Sequence, residues 1–202
     1  VCDNYEDCIK EANLVILCVP VGAMESIVGE IAPFLKSGTI ITDVGSVKKH
    51  IIDSLLPILP SDVYFVPGHP IAGTEKSGPE AGFAELFNGR WCILTPNKNT
   101  SQEALEKVKF IWEQAGMQIA TMDAEYHDRV LAITSHIPHL VAFSIVGTVT
   151  ELEDQLKTEV IKYSAGGFRD FTRIAASDPV MWRDVFLNNS EAVLEMLRNT
   201  GK

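Results

Sequence analysis

Basic residues are scarce in this chain: 17 Lys and Arg stand against 27 Asp and Glu, a formal net charge of −10. A face rich in positive charge is what phosphate backbones require, so general nucleic-acid binding is not expected. Cysteine is sparse too. The four are Cys2, Cys8, Cys18 and Cys92, and none forms a C-x-x-C pair. Cys18 and Cys92 fall in apolar runs, where cysteine behaves as a small hydrophobe. No apolar run reaches the length of a membrane span, no secretory signal pattern opens the chain, and no repeat or low-complexity segment is visible. The expectation is a soluble, cytoplasmic protein. Methionine is missing from position 1, which raises the expectation of a fragment.

What remains is an ordinary globular composition, 46% hydrophobic and 22% charged, enough for one large core or two small ones. Up to about residue 123, strand-like and helix-like segments alternate. LVILCVP (14–20), GTIITDVGS (38–46), VYFVPG (63–68), WCILTP (91–96) and MQIATMD (117–123) read as strands. Between them, Met24, Ile27, Val28, Ile31 and Phe34 recur at helical spacing, Ile51, Leu55 and Leu56 suggest a short helix, and Leu105, Val108, Ile111 and Trp112 a longer one. Thr100 with Glu103 reads as the longer helix's capping box and Gly116 as its stop. The pattern predicts an open, largely parallel α/β sheet. From residue 124 the chain reads as all-helical. A long helix runs from Ala124 to about Leu156 with an interruption near Pro138, SAGGF (164–168) is a loop, and Ser177 with Pro179 starts another helix. A helical segment of this size buries little of itself, so packing against another chain is expected.

Ligands of open α/β sheets bind beyond the carboxyl ends of the strands. Three polar loops lie at such ends: VPVGAME, DVGSVKK and GHPIAGTEKSG. His69 in the third can exchange a proton near neutral pH, which suits acid–base work, although loop hydrogen bonds alone could also explain it. Ser46 in the second could orient His69 or cap a helix. In ITSHIPHLVAF, Ser135 and His139 share one face if the helix persists through Pro138, with His136 pointing elsewhere. His136-x₂-His139 is a poor fit to a zinc-binding spacing, so no metal is expected. His127 reads as a surface or interface residue. Arg169 and Arg173, four apart, could grip a carboxylate, or could line a solvated face with Asp170 as partner. Trp182 reads as core rather than ligand contact.

GHPIAGTEKSG, ITSHIPH and GGFRDFTRIAASDPVMWRD, in this order, resemble the prephenate dehydrogenases of tyrosine biosynthesis across nearly the whole chain. The resemblance implies a Rossmann-like domain over residues 1–123, a helical dimerisation and substrate domain over 124–202, a homodimer, and NAD-dependent oxidative decarboxylation of prephenate to 4-hydroxyphenylpyruvate. It makes His69 the catalytic residue that accepts the proton of the substrate's ring hydroxyl, with Ser46 beside it and beside the nicotinamide. Val19 and Pro20 join Ser46 as cofactor contacts. Arg173 is implied to hold a substrate carboxylate, and His139, Ser135, Thr74 and Trp182 to line the pocket. Glu75 and Asp170 are implied to gate it.

The glycine fingerprint G-x-G-x-x-G is absent, as is the acidic residue about 20 positions further on that reads the ribose. An N-terminal βαβ portion is therefore expected to be missing, and the sequence does not separate NAD from NADP. Other readings are arogenate as substrate, a hydroxyacid dehydrogenase (for which a catalytic lysine in the helical half would be expected), and a non-catalytic helical dimer or ligand-sensing module.

Overall fold

A computed structural model of the chain describes residues 4–74, 76 and 78–200. A short helix, α1 (Tyr5–Ile9), precedes strand β1 (Leu14–Leu17), helix α2 (Val21–Ile31), β2 (Ile40–Asp43), α3 (Lys49–Leu55) and β3 (Tyr64–Val66). These three strands form a parallel sheet in the order β1-β2-β3. Strand β4 (Gly68–Pro70) follows at once, then β5 (Trp91–Leu94), α4 (Gln102–Gln114) and β6 (Gln118–Thr121).

The expected single strand VYFVPG is in fact two. Pro67 has no N–H for a ladder, and the chain crosses there from the first sheet into a second, β4-β5-β6. In that second sheet β4 runs antiparallel to β5, so the parallel arrangement expected throughout is broken at one pair.

Burial follows the two-residue period of the strands. Ile41 and Phe65 face a core with Leu17, Met24, Val28, Ile31, Ile51 and Leu55 beneath α2 and α3. Their neighbours Ile40 and Val66 face the opposite core with Cys92, Leu94, Leu105, Val108 and Trp112 under α4. Each fully buried Leu, Ile or Val is worth about 1.5–3 kcal/mol, so these two layers hold the sheet rigid behind the strand-end loops.

The helical half comprises α5 (Ala124–Leu131), a π turn (Ala132–His136), α6 (Ile137–Thr150), α7 (Asp154–Lys162), α8 (Gly166–Ala175), α9 (Pro179–Asn188) and α10 (Ser190–Thr200). The interruption expected at Pro138 does not occur. Proline lacks the N–H that an α-turn would bond, and the wider turn just before it lets the helix continue. Three local expectations are also corrected. Ser101, not Thr100, caps α4 by accepting from Ala104 N, while Thr100 Oγ1 accepts from Asn97 N in the preceding turn. SAGGF is not a loop throughout, because α8 begins at Gly166. Asp178, not Ser177, caps α9, accepting from Val180 N and Met181 N.

Apolar surface in this half is poorly covered. Ala142 is the one buried residue of α6, and α7 and α8 bury none. Ile133, Val141, Leu156, Ile161, Tyr163, Val180, Leu187 and Leu194 lie exposed. Continuity through the π turn also corrects the reading that no run reaches membrane length: Ala124–Thr150 is one 27-residue helical stretch containing an 18-residue window of mean hydropathy 1.6, long and apolar enough by those measures alone. The strand-like run containing Cys18 ends sooner than expected, and Cys18 is exposed while Cys92 is buried.

Candidate active site

Asp43 ends β2 and is fully buried, as is Lys48 five residues on. An unpaired charge at such depth would be costly, and the two form an ion pair. Lys48 Nζ also donates to the Gly68 carbonyl at 2.7 Å, and Asp43 accepts from Gly45 N at 2.8 Å and Gly68 N at 3.2 Å. Burial lowers the Lys48 pKa against the pull of Asp43. This cluster ties the β2–α3 loop to the start of β4. A side chain at Gly68 would meet the Asp43 carbonyl at 3.0 Å, so the tight crossing requires a small residue.

The next residue is His69, buried at 7% exposure. Its Nδ1 lies 2.9 Å from His127 Nε2, and His127 Nδ1 lies 2.8 Å from Asp128 Oδ1. Asp128 accepts in addition from Lys48 N at 2.8 Å and Lys49 N at 2.9 Å. The expectation that His127 sits at a surface or interface is therefore wrong: it is fully buried and is the direct partner of His69. Burial pushes the His69 pKa well below 6.5, and His127, Lys48 and His136 push it the same way. His127 is likewise lowered by burial, with Asp128 opposing. Both imidazoles are neutral at physiological pH. Asp128 also borders a groove of about 580 Å³ together with Lys49, Asn189 and Glu191.

A second cluster adjoins the first. Asn189 Nδ2 donates to the Asp128 carbonyl at 2.9 Å and to His136 Nδ1 at 2.9 Å. His136 is fully buried, and burial brings its pKa down to about 4. Its Nε2 has no partner of hydrogen-bond geometry, although the Ser46 carbonyl is near enough to favour the charged ring slightly. Trp182 lies edge-on to His136 at 6.0 Å and stacks on His139 at 3.6 Å. Val47, next to Ser46, packs on Trp182 and Val185, which joins the β2–α3 loop to α9. His139 donates from Nδ1 to the Ser135 carbonyl at 2.9 Å, so these two do meet, through the backbone of Ser135.

The structure thus gathers His69, Ser46, His139, Ser135 and Trp182 into one neighbourhood, linked by His127, Asp128, His136 and Asn189. Trp182 is core, as expected, but with Nε1 buried and unpartnered. Val19 is half-buried and Pro20 exposed where β1 passes into α2. Thr74 is exposed in the loop after β4, with Oγ1 accepting from Lys76 N at 3.2 Å, and Glu75 lies outside the described residues. Arg173 and Asp170 do not join the cluster. They face solvent on α8, 3.8 Å apart with side chains 60% and 73% exposed. Asp170 therefore pairs with Arg173, and no contact within the described residues brings Arg173 to His69.

Residues 1–121 match the family described as prephenate dehydrogenase, nucleotide-binding domain, and residues 123–201 the one described as prephenate dehydrogenase, dimerization domain. The chain belongs to the prephenate dehydrogenase family. Its relatives include the cyclohexadienyl dehydrogenase of Zymomonas mobilis, 48% identical over 197 residues, a match covering 98% of this chain and 67% of that protein. The prephenate dehydrogenase of Bacillus subtilis is 40% identical over 194 residues, 96% of this chain and 52% of that one. The crystal structure of A. aeolicus prephenate dehydrogenase in complex with hydroxyphenyl propionate and NAD+ superposes with a TM-score of 0.89 at 40% identity, covering 99% of this chain and 69% of that chain. The chain spans about half to two-thirds of these relatives' length.

For a member of the prephenate dehydrogenase family, the fit to a nicotinamide cofactor can be judged from two strand ends. Leu17 and Asp43 are paired neighbours at the ends of β1 and β2, so the segments that carry Val19 and Pro20, and Ser46, leave the sheet from adjacent strand ends. No side chain caps α2, and its first turn carries no acidic residue, which suits an approaching anionic group. The open start of α2 beside the end of β2 is compatible with a nucleotide cofactor there, while the glycine fingerprint for the pyrophosphate is not in the sequence.

Proposed function

We propose that this chain carries the catalytic part of an enzyme that oxidatively decarboxylates prephenate to 4-hydroxyphenylpyruvate with NAD, acting in tyrosine biosynthesis as a homodimer joined through the helical half. One observation supports this above the rest: His69 is a buried, neutral imidazole within the short strand β4, backed by a second imidazole and a carboxylate. NAD, when bound, accepts a hydride. His69 takes the proton of the ring hydroxyl as hydride leaves the same carbon, giving a ring ketone. Loss of carbon dioxide then supplies the electron pair that aromatises the ring, and the phenolate oxygen recovers a proton. The protein has to place the reactants and supply one base, which a buried neutral histidine does well.

Ser46 is assigned to the hydroxyl end of the substrate beside His69, with Val19 and Pro20 against the cofactor. Ser135, His139, Trp182 and Thr74 are assigned to the remaining pocket wall, and Glu75 and Asp170 to its entrance. Arg173 is assigned to a substrate carboxylate. Its exposed position on α8, packed along an α6 whose apolar surface is uncovered, favours delivery across a dimer interface.

The test is absorbance at 340 nm with full-length protein, NAD and prephenate. His69→Asn should lower kcat by roughly 10²–10⁴-fold, a general base's usual share, with KM little changed; unchanged turnover would sink the base assignment. Arogenate and NADP in the same assay settle substrate and cofactor choice. Absence of turnover with every pair would favour the ligand-sensing alternative.

A further inference from the structure

A base needs a lone pair on the nitrogen that meets the substrate. Neutral imidazole has two tautomers, and the partners of one nitrogen decide the state of the other. Around His69 those partners form a directed chain. Asp128 accepts from Lys48 N, Lys49 N and the His127 ring. An ionised carboxylate only accepts, so the hydrogen of the 2.8 Å contact sits on His127 Nδ1. A neutral His127 then has an acceptor at Nε2. The 2.9 Å contact beyond it places a hydrogen on His69 Nδ1 and leaves His69 Nε2 bare.

We propose that Asp128, acting through His127, sets the tautomer of His69 and so keeps Nε2 open for the substrate's proton. The inference rests on the reading of His69 as base. In it, His127 and Asp128 are positioning residues. The proton balance is simple: the hydroxyl O–H bond breaks, an N–H bond forms at His69 Nε2, and the same proton returns to the phenolate oxygen once carbon dioxide has gone. In between, the His69 imidazolium donates from Nδ1 to His127, whose other side faces the Asp128 carboxylate. Lys48 from the β2–α3 loop, His127 from α5 and His136 from the π turn oppose that charge, with Asp43 behind Lys48 and Cys92 of β5 beside the His69 backbone. The polarised pair His127–Asp128 is the favourable contact facing the ring from α5.

Nitrogen-15 NMR of histidine-labelled full-length protein reads the tautomer without any turnover. His69 is expected as the Nδ1–H form, and as the Nε2–H form in Asp128→Asn, where an amide N–H turned toward His127 reverses the chain. Asp128→Asn should also lower kcat by about 10²–10⁴-fold, as loss of the correct base tautomer does, with KM within about twofold. His127→Gln keeps an acceptor for His69 Nδ1 and should recover most of the kcat lost in His127→Leu. The acid limb of the kcat–pH profile should move in the leucine variant. An Nε2–H signal for His69 in the unaltered protein overturns the proposal, and so does His127→Leu with kcat and pH profile unchanged. Full turnover in His69→Asn is a different result: it removes the base itself, whichever tautomer the NMR finds.

Discussion

Three buried imidazoles, His69, His127 and His136, set the acid response of this protein. All have pKa values lowered chiefly by burial. Below the ordinary value of 6.5 an unfolded chain binds protons that the native state refuses, so the stability is complete above that pH and is lost as pH falls. For His136 the loss continues down to about 4 and amounts to about 3 kcal/mol at about 1.4 kcal/mol per pKa unit. Urea unfolding followed from pH 7.5 to 4.5 should therefore show a steep decline, and His136→Asn should flatten it. Equal slopes in both proteins would assign the decline elsewhere. Legibility at this scale was uneven. His69 was readable because its loop directly follows an apolar strand. His127 was not, because AEYHDRV is a mostly polar segment, and a histidine and an aspartate buried side by side on it leave no apolar periodicity to mark them.

At the scale of elements, the Asp43–Lys48 pair joins two sheets, since Asp43 ends β2 and both partners bond Gly68 at the start of β4. Lys48→Met would leave a buried carboxylate without its counter-charge, at a cost of about 3–5 kcal/mol. Urea unfolding at pH 7.5 measures it, and replacing Asp43 by Leu in the same protein should recover part of the loss. A drop within error for Lys48→Met alone would mean that the backbone donors of Gly45 and Gly68 suffice. The helix from Ala124 to Thr150 was legible in its apolar content but not in its course through Pro138. That depends on a π turn, a small geometric change that carries Ser135 and His136 and precedes His139.

On the scale of the whole molecule, the uncovered apolar surface of α6 and the exposed Arg173 belong to one question. If Arg173 serves the site of the opposite subunit, mixing inactive His69→Asn and Arg173→Ala proteins under subunit exchange rebuilds one intact site per hybrid dimer. Activity should then return to roughly a quarter of the unaltered level, given random twofold pairing. No recovery, with exchange verified by mass spectrometry, would place His69 and Arg173 in the same subunit's site.

Apolar periodicity is a local pattern, and it located the alternating strands and helices, the change to helices near residue 123 and the segment that carries His69; it did not reveal the break at Pro67 or the antiparallel pairing of β4 with β5. Which groups stand behind that histidine came from the packing of distant segments. His127 and Asp128 come from a helix far along the chain, Lys48 from a different loop, and Asn189 from the far end of the helical half. Contacts at that sequence separation are chosen by packing of whole layers, and no short-range pattern in the residues encodes them.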